Sequence, residues 1–278
     1  MIARIRRSLA TRSKRALFNL QARAHDATAG LFTRRLPAPN LTVASELHGV
    51  GSAGYRIAKG ILKPGDVVYS FGVGCDITFD LSLIAQHGVG VHAFDPTIQA
   101  RAFIEAARPD RRFAYHQWAL APEDGPLEFE HVLPEHPSSL AGTVVPLGWR
   151  RQGRERVEGR SLRSIMAELG HEHLGLVKLD IEGGEYGVIE QLASCENRIG
   201  QLVLEFHPFL LDWSRGLTIV SSHGWDATAR AIERLLAAGF SLFAVSGRGT
   251  EYSFLNRESA AIALAQQTRA ESGHAGPA

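Results

Sequence analysis

The sequence predicts an α/β fold of the doubly wound kind, a mostly parallel sheet with helices on both faces, and three observations predict it. Short apolar runs of strand length alternate with helical patterns from about residue 66 to residue 256. The strands of this series end, one after another, in glycine or polar residues, as they must if a ligand lies across the carboxyl ends of a parallel sheet. The last two strands are joined only by a short Gly-Arg-Gly turn, so they run antiparallel to each other.

The elements follow in order. DVVYSF (66–71) is a buried strand, and ITFDLSLIAQHG (77–88) its helix, closed by Gly88. VGVHAFD (89–95) is the second strand, with a helix over about 97–108, and FAYHQWAL (113–120) is the third. PLEFEHV (126–132) reads as a shorter, half-exposed strand. Residues 133–153 are rich in Pro, Gly and Ser and read as a long loop, a length that in a compact domain marks function or mobility. Ser161–Gly170 is a short helix, LGLVKLDI (174–181) a strand, GEYGVIEQLAS its helix, and QLVLEFH (201–207) the next strand. A helix over Trp225–Gly239 precedes the closing pair FSLFAVS (240–246) and YSFLN (252–256).

Charge divides the chain. Residues 1–36 carry nine basic residues and one acid, Asp26, a net of +8, which leaves −7 for the rest of a chain whose total is +1. The arm reads as a solvated helix over about 2–25, with peripheral contact to a membrane surface as the alternative, and Pro37-Ala38-Pro39 ends it. The main domain spans 40–258, and the Ala-, Gln- and Gly-rich residues 259–278 read as a flexible tail. An acidic body offers no nucleic-acid face. Two cysteines, Cys75 and Cys195, form neither a disulfide framework nor a metal pattern. With no apolar stretch of membrane-spanning length and no secretory signal, the expected setting is cytoplasmic.

The strand ends name the candidate site. Gly72 and Gly74 in SFGVGCD let backbone approach a ligand at a helix N-terminus. Asp95 lies 21 residues after Gly74, a spacing that suits the two hydroxyls of a ribose, and it also suits a cap for the helix that Pro96 opens. The third strand ends near Gln117 and Trp118, the fourth in Asp180 and Glu182, the fifth in Glu205 and His207. In LVKLDIEGGEYGVI, helix capping accounts for Glu182 and Glu185 but not for Asp180 at the end of an apolar run. His92 reads as a buried, hydrogen-bonded strand histidine, and Cys75 has no base beside it in sequence.

In this order and spacing, SFGVGCD, HAFDPT, QWALAPEDGPLEF, LVKLDIEGGEYGVI and LVLEFHP resemble the FkbM-type family of S-adenosylmethionine-dependent methyltransferases, DIEGxE being the most specific element. The resemblance covers about residues 60–256. It implies a seven-stranded sheet of order 3-2-1-4-5-7-6 with an antiparallel last strand, S-adenosylmethionine as cofactor, and methyl transfer to a hydroxyl of a sugar or secondary-metabolite-type small molecule. It implies that Phe71, Gly72, Val73 and Gly74 line the methionine and ribose side and that Asp95 takes the ribose hydroxyls. Gln117 and Trp118 would flank the adenine, Asp76 and Pro96 complete the cofactor set, and Asp180 and Glu182 face the amino acid end or the acceptor. The chain departs from the family pattern at Ser70, where an acid is usual, and at Asp76, where glycine is usual; the acid has moved to Asp76 in this reading.

A hydroxyl acceptor needs a proton sink. His207 is the leading base, since imidazole titrates near neutrality; Asp180 is the alternative and Glu182 stands beside them. His131 and His136 reach the acceptor if the long loop is a lid. No metal ligands are assigned, although a divalent cation shared by Asp180, Glu205 and His207 is a variant of the same site. Two rivals remain: a catalytically weak module that uses the fold for binding, and a nucleotide-dependent oxidoreductase, against which Ile77 stands where the third glycine of GxGxxG belongs.

Overall fold

The computed structural model of the chain describes residues 36–131, 142–143, 154–212, 218–247 and 249–273. The basic arm lies outside the described residues apart from Leu36, and the long loop apart from Gly142 and Thr143, so the lid histidine His136 lies outside them too. In chain order the strands are β1 (Ser45–His48), β2 (Tyr55–Ala58), β3 (Val67–Phe71), β4 (Gly90–Phe94), β5 (Phe113–His116), β6 (Ala119–Leu120), β7 (Gly125–His131), β8 (Gly142–Thr143), β9 (Arg154–Arg160), β10 (Leu174–Leu179), β11 (Ile199–Glu205), β12 (Phe209–Asp212), β13 (Thr218–Ser222), β14 (Ser241–Val245) and β15 (Glu251–Leu255). The helices are α1 (Thr78–His87), α2 (Ile98–Ala107), α3 (Leu162–Leu169), α4 (Glu185–Ser194), α5 (Gly224–Ala238) and α6 (Arg257–Gly273). Among the described residues, no helix is long and apolar enough to cross a membrane.

The central sheet has seven strands in the order β14-β15-β11-β10-β3-β4-β5. Numbered along the chain as the sheet's own strands, this is 3-2-1-4-5-7-6, the expected order, and β15 alone runs against its neighbours. The crossover from β3 outward to β5 and back to β10 places the switch point between β3 and β10. The two pair in parallel register, with Phe71 opposite Leu179. Strands buried on both faces carry near-continuous apolar runs, and Val68, Val91, Leu176, Val177, Leu202 and Val203 have no exposed surface. One face is covered by α3, α4 and α5, whose Ile165, Leu192, Ile232 and Leu235 pack on Phe71, Leu179 and Leu204. The other takes α1, α2 and the β1–β2 hairpin, through Leu83, Ile84, Ile104, Tyr55 and Ile57. Helix ends fall where local chemistry puts them: the Thr97 and Ser161 side chains accept the N–H groups of Ala100 and Ser164, and Gly88 closes α1 with φ +70°.

Several expectations are corrected. FAYHQWAL is not one strand: the chain leaves the central sheet after His116, and Ala119–Leu120 pair with β9 instead. Gln117 marks the break, turned so that its Nε2 donates to the Pro96 carbonyl at 3.2 Å. PLEFEHV is β7, and it belongs to a separate sheet, β6-β9-β7-β8. Its partner β9, RERVEGR, carries too many charges to read as a strand from pattern alone. The β1–β2 and β12–β13 hairpins were likewise not legible. The C-terminal segment is not a loose tail through residue 273: α6 buries Ala260 and Ala263 against Ala58, Ile61, Phe243 and Leu255.

Candidate functional site at the switch point

The turn after β3 is fixed before any ligand is considered. Gly72 has φ +74°, and a Cβ there would sit 1.7 Å from the Asp180 carbonyl oxygen, so the two adjacent strand ends approach too closely for any other residue. The Gly72 N–H donates to the Phe94 carbonyl at 2.8 Å. Beneath the turn lies Lys178, 6% exposed in the middle of an apolar strand. Its Nζ donates to the carbonyls of Phe71 (3.3 Å) and Gly72 (2.9 Å) and lies 3.5 Å from Asp180 Oδ2. A buried ammonium is retained only when so satisfied. Sequence reasoning missed Lys178; a lysine inside LVKLDI was the signal.

Asp95 follows the end of β4 and faces the glycine turn after β3. Its Oδ2 accepts the Gly74 N–H at 2.9 Å, while Oδ1 accepts the Thr97 N–H and hydroxyl at 2.9 and 2.6 Å. It therefore ties the two strand-end turns together and braces Thr97, which caps α2 in place of the expected Asp95, with the helix opening at Ile98 rather than Pro96; among the described residues one acceptor position on Oδ2 remains. Gly74, at φ +50°, faces open space: a Cβ there would meet nothing within 4 Å. Phe71 and Val73 are buried as walls.

Other assignments change. Asp76 is exposed and accepts the Thr78 N–H and hydroxyl at 2.9 and 2.7 Å, so it caps α1 rather than lining the turn. The acid buried near Lys178 is Asp80, not Asp76. Burial pushes Asp80 up to about 6, against the pull of Lys178. Trp118 stacks on His116 at 4.9 Å and carries the Arg160 guanidinium 4.1 Å from its ring centroid, so protein groups already take its stacking contacts. Arg160 also lines a cleft of about 610 Å³ with Asp124, Arg156, Glu158 and Glu168. His92 bonds His116 at 3.0 Å away from the strand-end acids. Burial, then Asp95, pushes the Cys75 thiol up, which suits an inert thiol.

The ends of β10 and β11 bring the predicted acids together. Asp180 Oδ1 and Glu182 Oε2 lie 3.8 and 3.6 Å from His207 Nε2. Glu182 holds φ +53°, an uncommon left-handed conformation for a side chain of its size. The element that shapes the turn is Glu185, fully buried, whose carboxylate accepts the N–H groups of Ile181 and Gly183, each at 2.9 Å, and meets His207 Nδ1 at 3.0 Å. Capping thus explains Glu185 and not Glu182. Tyr55 enters from the β1–β2 hairpin, its hydroxyl donating to Asp180 Oδ2 (3.0 Å) and Glu205 Oε2 (3.3 Å); no motif announced it.

These neighbours decide protonation. Burial lowers the His207 pKa, but Glu185, Glu182 and Asp180 outweigh it and hold the imidazole well above its ordinary value. These neighbours thus favour the protonated imidazole, which weighs against the expected role of His207 as the base. Asp180, Glu205 and His207 do converge, with one ligand-type atom from each within 4.8 Å of the others. The imidazolium and the Lys178 ammonium already supply positive charge there.

Burial first, then the charge of Asp180, pushes the Glu205 carboxyl up to about 8 from its ordinary 4.5. Between those values the native state binds more protons than the unfolded chain, so stability falls as pH rises. His207 adds a fall of the same sign that begins at its ordinary 6.5. Glu205→Gln is expected to remove the part that begins near 4.5 and leave the part that begins near 6.5. Denaturant unfolding across this pH range checks it, and unchanged slopes would take Glu205 out of the linkage.

With this geometry in place, three comparisons bear on the chain. A family model described as the methyltransferase FkbM domain matches residues 67–242. The chain is 29% identical over 143 residues to the probable methyltransferase-like protein 24 of Homo sapiens, covering 50% of this chain and 32% of that relative's length. It is 26% identical over 218 residues to the 31-O-demethyl-FK506 methyltransferase FkbM of Streptomyces tacrolimicus, covering 68% of this chain and 83% of that protein. Among solved structures, the Methanococcus jannaschii fibrillarin pre-rRNA processing protein aligns at 10% identity and a TM-score of 0.43, over 77% of this chain and 83% of that one.

Proposed function

The chain belongs to the FkbM methyltransferase family, and on that premise we propose that it transfers a methyl group from S-adenosylmethionine to a hydroxyl oxygen of a small molecule. The observation that carries this reading is the pairing of two strand-end features at the switch point. One is a glycine turn with open space over Gly74 beside the spare acceptor position of Asp95. The other, one strand away, is the acid cluster of Asp180, Glu182 and Glu205. The relative from Streptomyces tacrolimicus, whose name records an O-demethyl substrate, favours oxygen as the acceptor atom.

The residues present fit the cofactor. The open space at Gly74 and the acceptor position left on Asp95 Oδ2 among the described residues suit a ribose hydroxyl, and the Asp180 carboxylate at the end of β10 suits a sulfonium with an α-ammonium group. Gln117 and Pro96 would border the adenine end, and Trp118, with Arg160 over its face, would serve there as a wall. When bound, S-adenosylmethionine supplies a methyl group on positively charged sulfur, open to in-line displacement. The protein's own work is alignment and proton removal. Asp180 takes the acceptor's proton on Oδ1, which has no hydrogen bond among the described residues, while Tyr55 and Lys178 hold Oδ2 in place. His207, kept protonated, anchors Asp180, Glu182 and Glu185 and does not itself take the proton.

Calorimetry with S-adenosylhomocysteine tests the reading. Wild type is expected to bind it, and Asp95→Ala to bind about 1–3 kcal/mol more weakly, since charge-assisted bonds to the ligand and to the Gly74 N–H are lost together. Heat with NAD and none with S-adenosylhomocysteine would instead support the oxidoreductase.

A further inference from the structure

The β1–β2 hairpin and α1 build a second cluster that the methyl-transfer site does not use. Glu46 and His48 are two apart on β1 and therefore project from the same face, and α1, packed against that strand, ends in His87. Glu46 Oε1 lies 3.1 Å from His87 Nε2 and 3.4 Å from His48 Nε2, and the two Nε2 atoms are 3.3 Å apart. The three atoms form a nearly equilateral triangle of metal-ligand types. Zinc bonds of about 2.0–2.1 Å in a tetrahedron place ligand atoms about 3.3–3.4 Å apart, the size of this triangle.

The surroundings are those of a ligand set. His48 has a fully buried side chain, and its other ring nitrogen, Nδ1, meets Ser82 Oγ at 2.8 Å. Ser82 in turn accepts from Gln86 Nε2 at 3.1 Å. Bonding through the second nitrogen fixes the ring, and the tautomer in which Nδ1–H donates to the Ser82 hydroxyl leaves Nε2 to bind metal. His87 and Glu46 are 15% and 26% exposed in their side chains, so the fourth corner opens toward solvent and water. A proton shared among the three atoms is the simpler occupant. It satisfies one pair of acceptors at a time, whereas a cation satisfies all three.

We propose that Glu46, His48 and His87 bind one zinc-type transition-metal ion that fastens the β1–β2 hairpin to α1. Two imidazoles and one carboxylate suit such an ion rather than calcium or magnesium, which prefer oxygen. The position gives it a consequence: His48 pairs directly across the hairpin with Tyr55, whose hydroxyl reaches Asp180 and Glu205.

The full chain, stripped with chelator and titrated with zinc, is expected to bind one equivalent and to gain thermal stability. Cobalt(II) is expected to give the intense visible absorption of a four-coordinate site. Ser82→Ala, which removes the bond that orients His48 along with the exposed Gln86 contact, is expected to weaken zinc binding by about 10–100-fold. His87→Gln and Glu46→Gln, at partly exposed positions that leave the buried His48 in place, are expected to weaken it further and to abolish the cobalt spectrum. Asp180→Asn is expected to leave the stoichiometry unchanged. Absence of zinc binding by wild type overturns the proposal. So does binding that survives both His87→Gln and Glu46→Gln, or that disappears in Asp180→Asn.

Discussion

Glu185→Ala is expected to destabilise the protein by about 3–5 kcal/mol, the cost of breaking a buried ion pair by removing one member. The carboxylate has no exposed surface and three partners: the N–H groups of Ile181 and Gly183 and the ring of His207. Alanine leaves two backbone donors without an acceptor in a turn that water reaches poorly, and it leaves His207 with less of the negative charge that holds its proton. Glu185→Gln keeps one good acceptor and is expected to fall between alanine and wild type. Urea unfolding followed by circular dichroism measures both. A loss below about 1 kcal/mol in the alanine variant would mean that the turn is held by α4 packing rather than by this side chain.

The balance between what the sequence disclosed and what it hid follows from where the information lies. The central sheet was legible because buried parallel strands must be continuously apolar and their helices periodic, so VVYSF, GVHAF, LGLVKL and IGQLVLE stand out. The Asp95 position followed from chain geometry, and the structure returned it as a hydrogen bond to Gly74. The accessory sheet stayed hidden because β9 carries five charged residues in seven, and its pairing with β7 is a long-range contact that no local signal encodes. Tyr55 stayed hidden for the same reason: it reaches Asp180 across 125 residues of chain.

What tells against His207 as the base has a different origin. Its place after β11 was read correctly, but its protonation depends on Glu185 and Glu182, carboxylates of a neighbouring loop and helix. A histidine's ordinary titration near neutrality says nothing until those neighbours are known. Likewise, Lys178 was passed over because the apolar pattern around it was strong enough to carry one exception. That exception is the group that braces the carbonyls of Phe71 and Gly72.

Asp180→Asn should lower methyl-transfer turnover by about 10²–10⁴-fold, the usual contribution of a positioned general base. The substitution preserves shape, and an asparagine carbonyl can still accept from Tyr55 and Lys178, so the protein should still fold cooperatively and still bind S-adenosylhomocysteine, with losses in both far smaller than the loss in turnover. That separation distinguishes lost chemistry from a lost site. The companion variant is His207→Gln. On the proposal that Asp180 is the base and His207 a held cation, His207→Gln should reduce turnover by misplacing the carboxylates yet leave the ionisation that governs the pH–rate profile in place. An ionisation that vanishes in His207→Gln, with Asp180→Asn near wild-type turnover on the same acceptor, would return the base to His207 and leave Asp180 as a brace between Lys178 and Tyr55. Product formation measured as S-adenosylhomocysteine release, on one identified hydroxyl acceptor across the neutral range, supplies both profiles.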